Sequence, residues 1–297
     1  VSWVEGLAEW TEGDTAFLSI AFSWKVGEAY SRAAWYRAAG YTVRAGGPGL
    51  FTPKAKERLG SIAVLGGAIP DALRHHNPLA TKASDGCPVG CYFCIVPAME
   101  GKAFTLHPDF PVRPILTDNN LSALPADYQR HIVERYLGHR VSLLDANSGF
   151  EPKTFDEEVY QRWRPINRGP WRFAYDTSEE RDDVYRVMQM LRQRGIGPRR
   201  MQVYVLIGNE PFDACMGRIR EVIEWGGEPY VQPLMKLNAA DRDDLWVRFD
   251  WTYHRLRAVQ RWSKPIIRRR SPEFATYDAS AKTIHDPLAD CQMELIA

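Results

Sequence analysis

Apolar and polar positions follow two rhythms along this chain, and the switch between them marks its elements. Thr15-Ala-Phe-Leu-Ser-Ile-Ala-Phe22 is a short apolar run that predicts a buried strand. From Val26 to Ala39 the spacing becomes helical, with Ala29, Ala33 and Tyr36 about a turn apart and Gly40 as the stop. Tyr41–Ala45 predicts a second strand, ending in Gly46-Gly-Pro-Gly49, and Ser61–Leu65 a third. These make a small β-α-β unit ahead of residue 76. It is too short for a complete dinucleotide-binding domain. The glycine run suits either a structural turn or a phosphate cradle.

From Ala80 onward, strands and helices alternate. Strands are expected at Ala80–Ser84, Pro114–Thr117, Val141–Asp145, Trp171–Tyr175, Met201–Ile207 and Tyr230–Pro233. Helices are expected near 126–137, 155–164, 179–194, 213–225 and 245–262, while 95–112 reads as loop. The helix at 179–194 has an acidic first turn, an apolar face of Val184, Val187, Met188 and Leu191, and Gly195 as its stop. Six such repeats predict an α/β fold built on a parallel sheet with crossover helices. The expected organisation is an N-terminal unit over 1–75, the repeats over 76–240 and a C-terminal helix with an irregular extension over 241–297.

Composition narrows the class without choosing a partner. The 297 residues are 45% hydrophobic and 25% charged, with a formal net charge of +1. That balance is ordinary for a globular chain and creates no global field demanding a polyanion. No apolar run is long enough to span a bilayer, so no membrane is expected. The start, Val-Ser-Trp-Val-Glu-Gly-Leu, lacks the basic region and apolar core of a secretion signal. Few cysteines suit a reducing compartment, and a cytoplasmic location is expected.

Three of the five cysteines fall in Cys87-Pro-Val-Gly-Cys91-Tyr-Phe-Cys94, spaced C-x3-C-x2-C. Iron–sulfur clusters take cysteine thiolates, normally four for a [4Fe–4S] cube. Three close ligands without an evident fourth suggest a cube with one iron left open. A structural zinc site would want a second knuckle with another Cys or His, and Cys215 and Cys291 each stand alone. A disulfide scaffold does not suit so long a chain.

This spacing resembles the radical S-adenosylmethionine (radical SAM) superfamily. The run from His76-Asn-Pro through Gly86-Cys-Pro to Phe93-Cys-Ile-Val-Pro97 and Glu100-Gly101 is similar to a subgroup of short members, over about residues 76–235. The resemblance implies a partial (β/α)6 barrel and a [4Fe–4S] cluster held by Cys87, Cys91 and Cys94. It implies that SAM chelates the open iron, and that an electron from the cluster splits the sulfonium bond to release a 5′-deoxyadenosyl radical. It implies an electron donor such as flavodoxin or ferredoxin. The N-terminal unit is placed like the cobalamin domain of some members, but it lacks their Asp-x-His-x-x-Gly motif, and cobalamin is not expected.

The same resemblance assigns SAM contacts at the strand ends, where α/β barrels carry their reactive groups. Asp118-Asn119-Asn120 stands where a Gly-Gly-Glu-like segment usually holds the SAM ammonium, with Asp118 replacing the glutamate. The alternative for this segment is a turn into the next helix. Asn147, in Asp145-Ala-Asn-Ser-Gly149, suits ribose hydroxyls, the methionine carboxylate or an ordinary loop. Ile207 and Gly208 match the region beside the SAM adenine, Gln232 ends the sixth strand, and Phe93 would sit near the adenine. Asp176 reads either as part of a helix cap or as a group facing the cavity.

The C-terminal part carries Arg255, Arg257, Arg261, Lys264, Arg268, Arg269 and Arg270, with Trp251, Tyr253 and Trp262 interleaved. Such a stripe suits nucleic acid contact or a solvated helix face. The expected function is a radical SAM enzyme acting on a small-molecule substrate. Nucleobase or nucleic acid modification by the same chemistry is the alternative, and a cluster-bearing binding or regulatory protein is a third. No second cysteine cluster is present for sulfur insertion. Methyl transfer through Cys215 and Cys291 is the remaining special case.

Overall fold

The computed structural model describes residues 3–66, 72–241 and 244–277. The chain divides into two compact units, one comprising residues up to Ala80 together with Lys236–Asp244, the other Thr81–Met235 with the chain from Leu245.

The first unit is a four-stranded sheet in the order β1-β2-β3-β4, with β1 Leu7–Glu12, β2 Thr15–Ile20, β3 Thr42–Gly46 and β4 Val64–Leu65. The crossover helices are α1 (Val26–Ala38) and α2 (Pro53–Gly60), and the short α3 spans Ala72–His76. β2, β3 and β4 run parallel, as the β-α-β reading expects, while β1 pairs antiparallel with β2 through Gly13-Asp14. Gly13 sits at φ 54°, a left-handed conformation that glycine adopts without strain. The hairpin escapes a periodicity reading because Leu7-Ala-Glu-Trp-Thr-Glu is half polar and lacks a strict alternation. The run Gly46-Gly-Pro-Gly49 serves close packing. A Cβ on Gly47 would lie 2.4 Å from the Ile20 carbonyl oxygen, and one on Gly49 2.6 Å from the Ile20 side chain.

The second unit is mixed α/β. Its strands are β5 (Ala80–Thr81), β6 (Ser84–Asp85), β7 (Thr105–Leu106), β8 (Ile115–Leu116), β9 (Asp145–Ala146), β10 (Trp171–Ala174), β11 (Met201–Ile207) and β12 (Glu228–Pro233). They form two three-stranded sheets, β5-β8-β9 and β10-β11-β12, and an antiparallel β6–β7 pair. Pairing is parallel for β8–β9, β10–β11 and β11–β12. The described strands form no closed barrel.

The helices are α4 (Val96–Met99), α5 (Ala126–His139), α6 (Glu157–Trp163), α7 (Arg181–Gln193), α8 (Phe212–Glu224), α9 (Tyr253–Trp262) and α10 (Pro265–Arg270). α7 is preceded by a capping box between Thr177 and Glu180 and ends before Gly195 at φ 72°. Its Val184, Val187, Met188 and Leu191 are fully buried, each contributing roughly 1.5–3 kcal/mol. An aspartate at any of these four positions would break the helix's packing. Residues 245–252 do not join α9, contrary to the helix expected from Leu245. Leu245 pairs with Met235, the Trp246 N–H donates to the Leu234 carbonyl, and Thr252 caps the helix by accepting from the Arg255 N–H. Leu256, Val259 and Trp262 of α9 belong to the same core as the strands.

Alternation gives β10–β12 two unlike faces. Trp171 and Phe173, Val203 and Val205, and Val231 are buried against helices. Arg172, Gln202, Tyr204, Tyr230 and Gln232 take the opposite, more open face. Among the described residues no helix is long and apolar enough to cross a membrane.

Candidate functional site

The cysteine loop leaves β6 and returns into α4. Gly86 turns the chain at φ 87°, and a Cβ there would lie 2.2 Å from the Ala103 carbonyl oxygen. Only glycine fits this position. The Cys87 N–H donates to the Gly101 carbonyl at 3.3 Å, and the Cys94 N–H to the Cys91 carbonyl at 3.0 Å. Cys87, Cys91 and Cys94 are half-buried free thiols. Burial pushes the Cys91 thiol up to about 12, and the charges of Asp176, Cys94 and Cys87 push the same way. Burial also raises Cys94, with Cys87 and Asp176 adding to it. The three sulfurs therefore share one electrostatic neighbourhood, into which Asp176 projects its charge. Among the described residues no group of three or more His, Cys, Asp or Glu is gathered tightly enough to hold a single metal ion.

A charged brace stands behind the loop. Lys82 Nζ pairs with Asp85 at 2.7 Å and with Glu100 Oε1 at 2.6 Å. Glu100 Oε2 accepts from the Gly86 N–H at 2.9 Å and from Asn119 Nδ2 at 2.6 Å. Asn119 Nδ2 also donates to the Gly86 carbonyl at 3.1 Å. His107 Nε2 meets Asp85 at 2.7 Å. Lys82, Glu100 and Asn119 thus fix both polar groups of the residue before Cys87.

The positions assigned to SAM divide into several environments. Asp118 is fully buried, and both of its oxygens are engaged: Oδ2 by the Ala83 N–H at 3.0 Å and Oδ1 by the Ser84 hydroxyl at 2.6 Å. It ties down the strand leading into the loop, a partner set different from the expected ammonium. Burial pushes its carboxyl up to about 6. Asn119 belongs to the brace. Asn120 Oδ1 accepts from the Ala123 N–H at 3.1 Å, an Asx-type turn leading toward α5.

Phe93 is half-buried and edge-on to Tyr92 at 5.1 Å. Ile207 is buried on the helix-facing side of β11, and its carbonyl accepts from the Leu234 N–H at 2.8 Å. Gly208, at φ 90°, leaves 3.1 Å between a would-be Cβ and Leu256. Gln232 is exposed on the open face of β12. Asn147 is half-buried, its N–H donating to the Leu116 carbonyl at 2.9 Å.

Several groups at the strand ends carry no spacing signal in sequence. Thr177 provides the cap before α7, which frees the Asp176 side chain to act on the thiols. Burial pushes Asp176 up to about 7, with Glu180 and Glu151 pushing the same way and Arg218 opposing. Glu151 is raised by burial and then by Glu180, and its charge also reaches Cys91. Arg218, on α8, is 1% exposed. It pairs with Glu210 at 3.0 Å, donates to Asn209 Oδ1 at 3.2 Å and to the Tyr175 carbonyl, and leaves Nε without a partner. Cys215 is buried with its sulfur 3.3 Å from Arg218 Nη2, and Cys291 lies outside the described residues.

The basic stripe resolves into separate environments. Arg268 is bonded to Glu228 and to the Ser263 carbonyl. Arg255 stacks over Phe212 at 4.8 Å and donates to the Asp250 carbonyl. Arg257 lies over Tyr253 at 5.7 Å and donates to Gln260. Arg261, Lys264, Arg269 and Arg270 are exposed. Trp251 and Trp262 are buried core residues and offer no stacking surface, while Tyr253 is exposed. No protein-family model matches this chain, and no curated protein matches it.

Proposed function

We propose that this chain is a radical SAM enzyme in which Cys87, Cys91 and Cys94 hold a site-differentiated [4Fe–4S] cluster. The observation that carries this reading is the set of three free thiols on one short loop whose base at Gly86 is braced by Glu100 and Asn119. The residues fit the group. Each thiol is free and half-buried, all three lie on the eight-residue stretch Cys87–Cys94, and an iron–sulfur cube takes cysteine thiolates as its ligands.

When bound at Cys87, Cys91 and Cys94, the cluster would supply the electron for reductive cleavage of SAM. The protein's own part is positional and electrostatic. Glu100, Lys82 and Asn119 hold the loop at Gly86, and Asp118 holds Ala83 and Ser84. SAM carries an ammonium and a sulfonium, so the acid side of its pocket is assigned to Asp176 and Glu151, not to Asp118. Arg218 limits the repulsion among these acids.

The strand order supports a partial (β/α)6 barrel. The parallel bridges Leu143↔Asn167, just before β9 and β10, and Phe150↔Phe173, from just after β9 to within β10, lie between the two three-stranded sheets and favour one series of six strands. The substrate is a small molecule received on the open face of those strands, and a flavodoxin- or ferredoxin-type protein supplies the electron. Oxygen-sensitive chemistry suits the cytoplasm. Modification of a nucleobase is the second reading, favoured by the aromatic and amide groups of β11 and β12.

The test is anaerobic reconstitution with iron and sulfide, followed by reduction with dithionite in the presence of SAM. The chain is expected to carry about four irons and to release 5′-deoxyadenosine. Changing Cys87, Cys91 and Cys94 together to Ala should abolish both, and Cys215→Ala should abolish neither. Iron bound without SAM cleavage would favour the regulatory-protein alternative and overturn the enzyme reading.

A further inference from the structure

The open face of β9–β12 holds a cluster of polar and aromatic groups centred on residues outside the expected SAM contacts, with Asn147 and Gln232, two of those contacts, at its margin. At its centre is Arg172. Its Nε donates to Gln202 Oε1 at 3.1 Å and its Nη1 to the Tyr204 hydroxyl at 3.1 Å. Nη1 also stands 3.0 Å from Asp145 Oδ1, in an orientation that leaves this buried oxygen without a hydrogen bond. Nη2 makes no hydrogen bond among the described residues, although the guanidinium is held on three sides. The Tyr204 hydroxyl continues the chain to the Asn147 carbonyl at 3.1 Å, so one network ties β9, β10 and β11 together on this face.

Tyr230 completes the cluster from β12. It stands beside Tyr204 in the parallel register, edge to face with ring centres 5.3 Å apart. It is 57% exposed on this face of the edge strand β12. Gln232, two residues on, shares its face and is also exposed. The side-chain amides of Gln232 and Asn147 have no partner among the described residues. A rigid ring with a bare face, a fixed guanidinium with one spare donor and two uncommitted amides surround a single surface.

The geometry points to a binding site for a planar, keto-bearing heteroaromatic ring of the purine type, stacked on Tyr230 with a ring-edge acceptor at Arg172 Nη2. Each element of that chemistry answers one feature. A flat π-face suits an exposed aromatic whose edge contact with Tyr204 fixes its tilt. Acceptors at a ring edge suit a guanidinium, the pairing that arginine makes with guanine O6 and N7. The free amides suit the mixed donors and acceptors of a ring or ribose. A simple anion suits the site poorly, because Asp145 already offsets the charge of Arg172. This inference deepens the nucleobase reading above, but binding at this face does not depend on SAM cleavage.

The test is titration of guanosine into the full chain, before and after cluster reconstitution, followed by saturation-transfer NMR and calorimetry. Tyr230 is exposed, so its replacement leaves the core intact. Tyr230→Ala is expected to weaken guanosine binding about tenfold or more, and Tyr230→Phe to preserve it. L-tryptophan, which is flat but has no ring acceptor, is expected to bind more weakly than guanosine. Arg172→Met should erase that preference. Failure of guanosine to bind, binding that survives Tyr230→Ala, or tighter binding of L-tryptophan would each overturn the proposal. Production of 5′-deoxyadenosine without guanosine is scored separately, so loss of this site and loss of the radical SAM reading are told apart.

Discussion

Glu100 accepts a hydrogen bond from the Gly86 N–H at 2.9 Å, so a carboxylate just beyond α4 holds the residue that precedes Cys87. The same carboxylate takes Lys82 and Asn119. Glu100→Ala removes the acceptor for two donors and one of the partners of Lys82. Outer partners of this kind position ligands they do not touch, and their loss weakens metal retention about tenfold or more. Reconstituted Glu100→Ala should lose iron to a chelator correspondingly faster than wild type while its far-ultraviolet circular dichroism is unchanged. Equal retention would remove the brace from the account of the site.

Asp118 makes stability depend on pH in a definite direction. Its carboxyl is raised by burial from 3.8 to about 6, so the folded chain holds this proton more tightly than the unfolded one. The stabilisation is fully present below the unfolded value and is lost as pH rises through about 6. Between about pH 4 and pH 6 it amounts to on the order of 3 kcal/mol. Asp118→Asn keeps an acceptor for Ala83 and does not titrate. Urea unfolding across this range should show wild type losing stability relative to Asp118→Asn as pH rises. Parallel curves would refute the assignment.

Arg218 is the buried cation among Asp176, Glu180 and Glu210. Arg218→Met should lower unfolding free energy by about 1.5–3 kcal/mol, because it removes charge-assisted hydrogen bonds and leaves half-buried acids uncompensated. Adding Glu210→Gln should recover part of the loss. If the double variant is no more stable than the single one, the cost lies in packing and not in charge.

The basic stripe separates into structural and free charges. Arg268 is committed to Glu228 and Ser263, so Arg268→Ser should destabilise the chain, and any loss of polyanion binding in that variant would be ambiguous. Arg269 and Arg270 are exposed, and changing both to Ser should leave stability within about 0.5 kcal/mol of wild type. If they grip phosphate, the slope of log affinity against log salt should flatten by roughly 0.7–0.9 per lost contact. An unchanged slope removes this stripe as a phosphate surface.

The cysteine motif stands out in sequence because Cys87, Cys91 and Cys94 fall within eight residues, and they share one loop between β6 and α4. The helices α1, α5, α7 and α8 were legible because each buries one face, and periodicity records burial. The brace was not legible. Lys82, Glu100 and Asn119 meet only after two loops have folded; the family resemblance includes Glu100 and assigns Asn119 to SAM, but nothing in their spacing points to their meeting at Gly86. Arg218 was hidden for a different reason: a charge on an amphipathic helix looks solvated until the neighbouring loop closes over it. Asp118 was correctly picked out as a strand-end carboxylate, but its partners Ala83 and Ser84 come from a strand 34 residues away. The expected helix from Leu245 failed because Leu245 and Trp246 pair with the chain beyond β12, and Phe249 adopts φ 53°.

The placement of α9 sets an order on the protein's synthesis. Leu256, Val259 and Trp262 are part of the core that also contains Val203, Val205 and Val231. That core stays open until residue 262 has left the ribosome, although its last strand ends at Pro233. The smaller unit waits too, because Lys236–Asp244 belongs to it. At translation rates of about 5–20 residues per second, a nascent chain that already has every described strand spends seconds with a missing wall. Slowed elongation just after Pro233 would therefore tax the yield of folded protein more than a pause elsewhere, and chaperone capture should peak over that stretch.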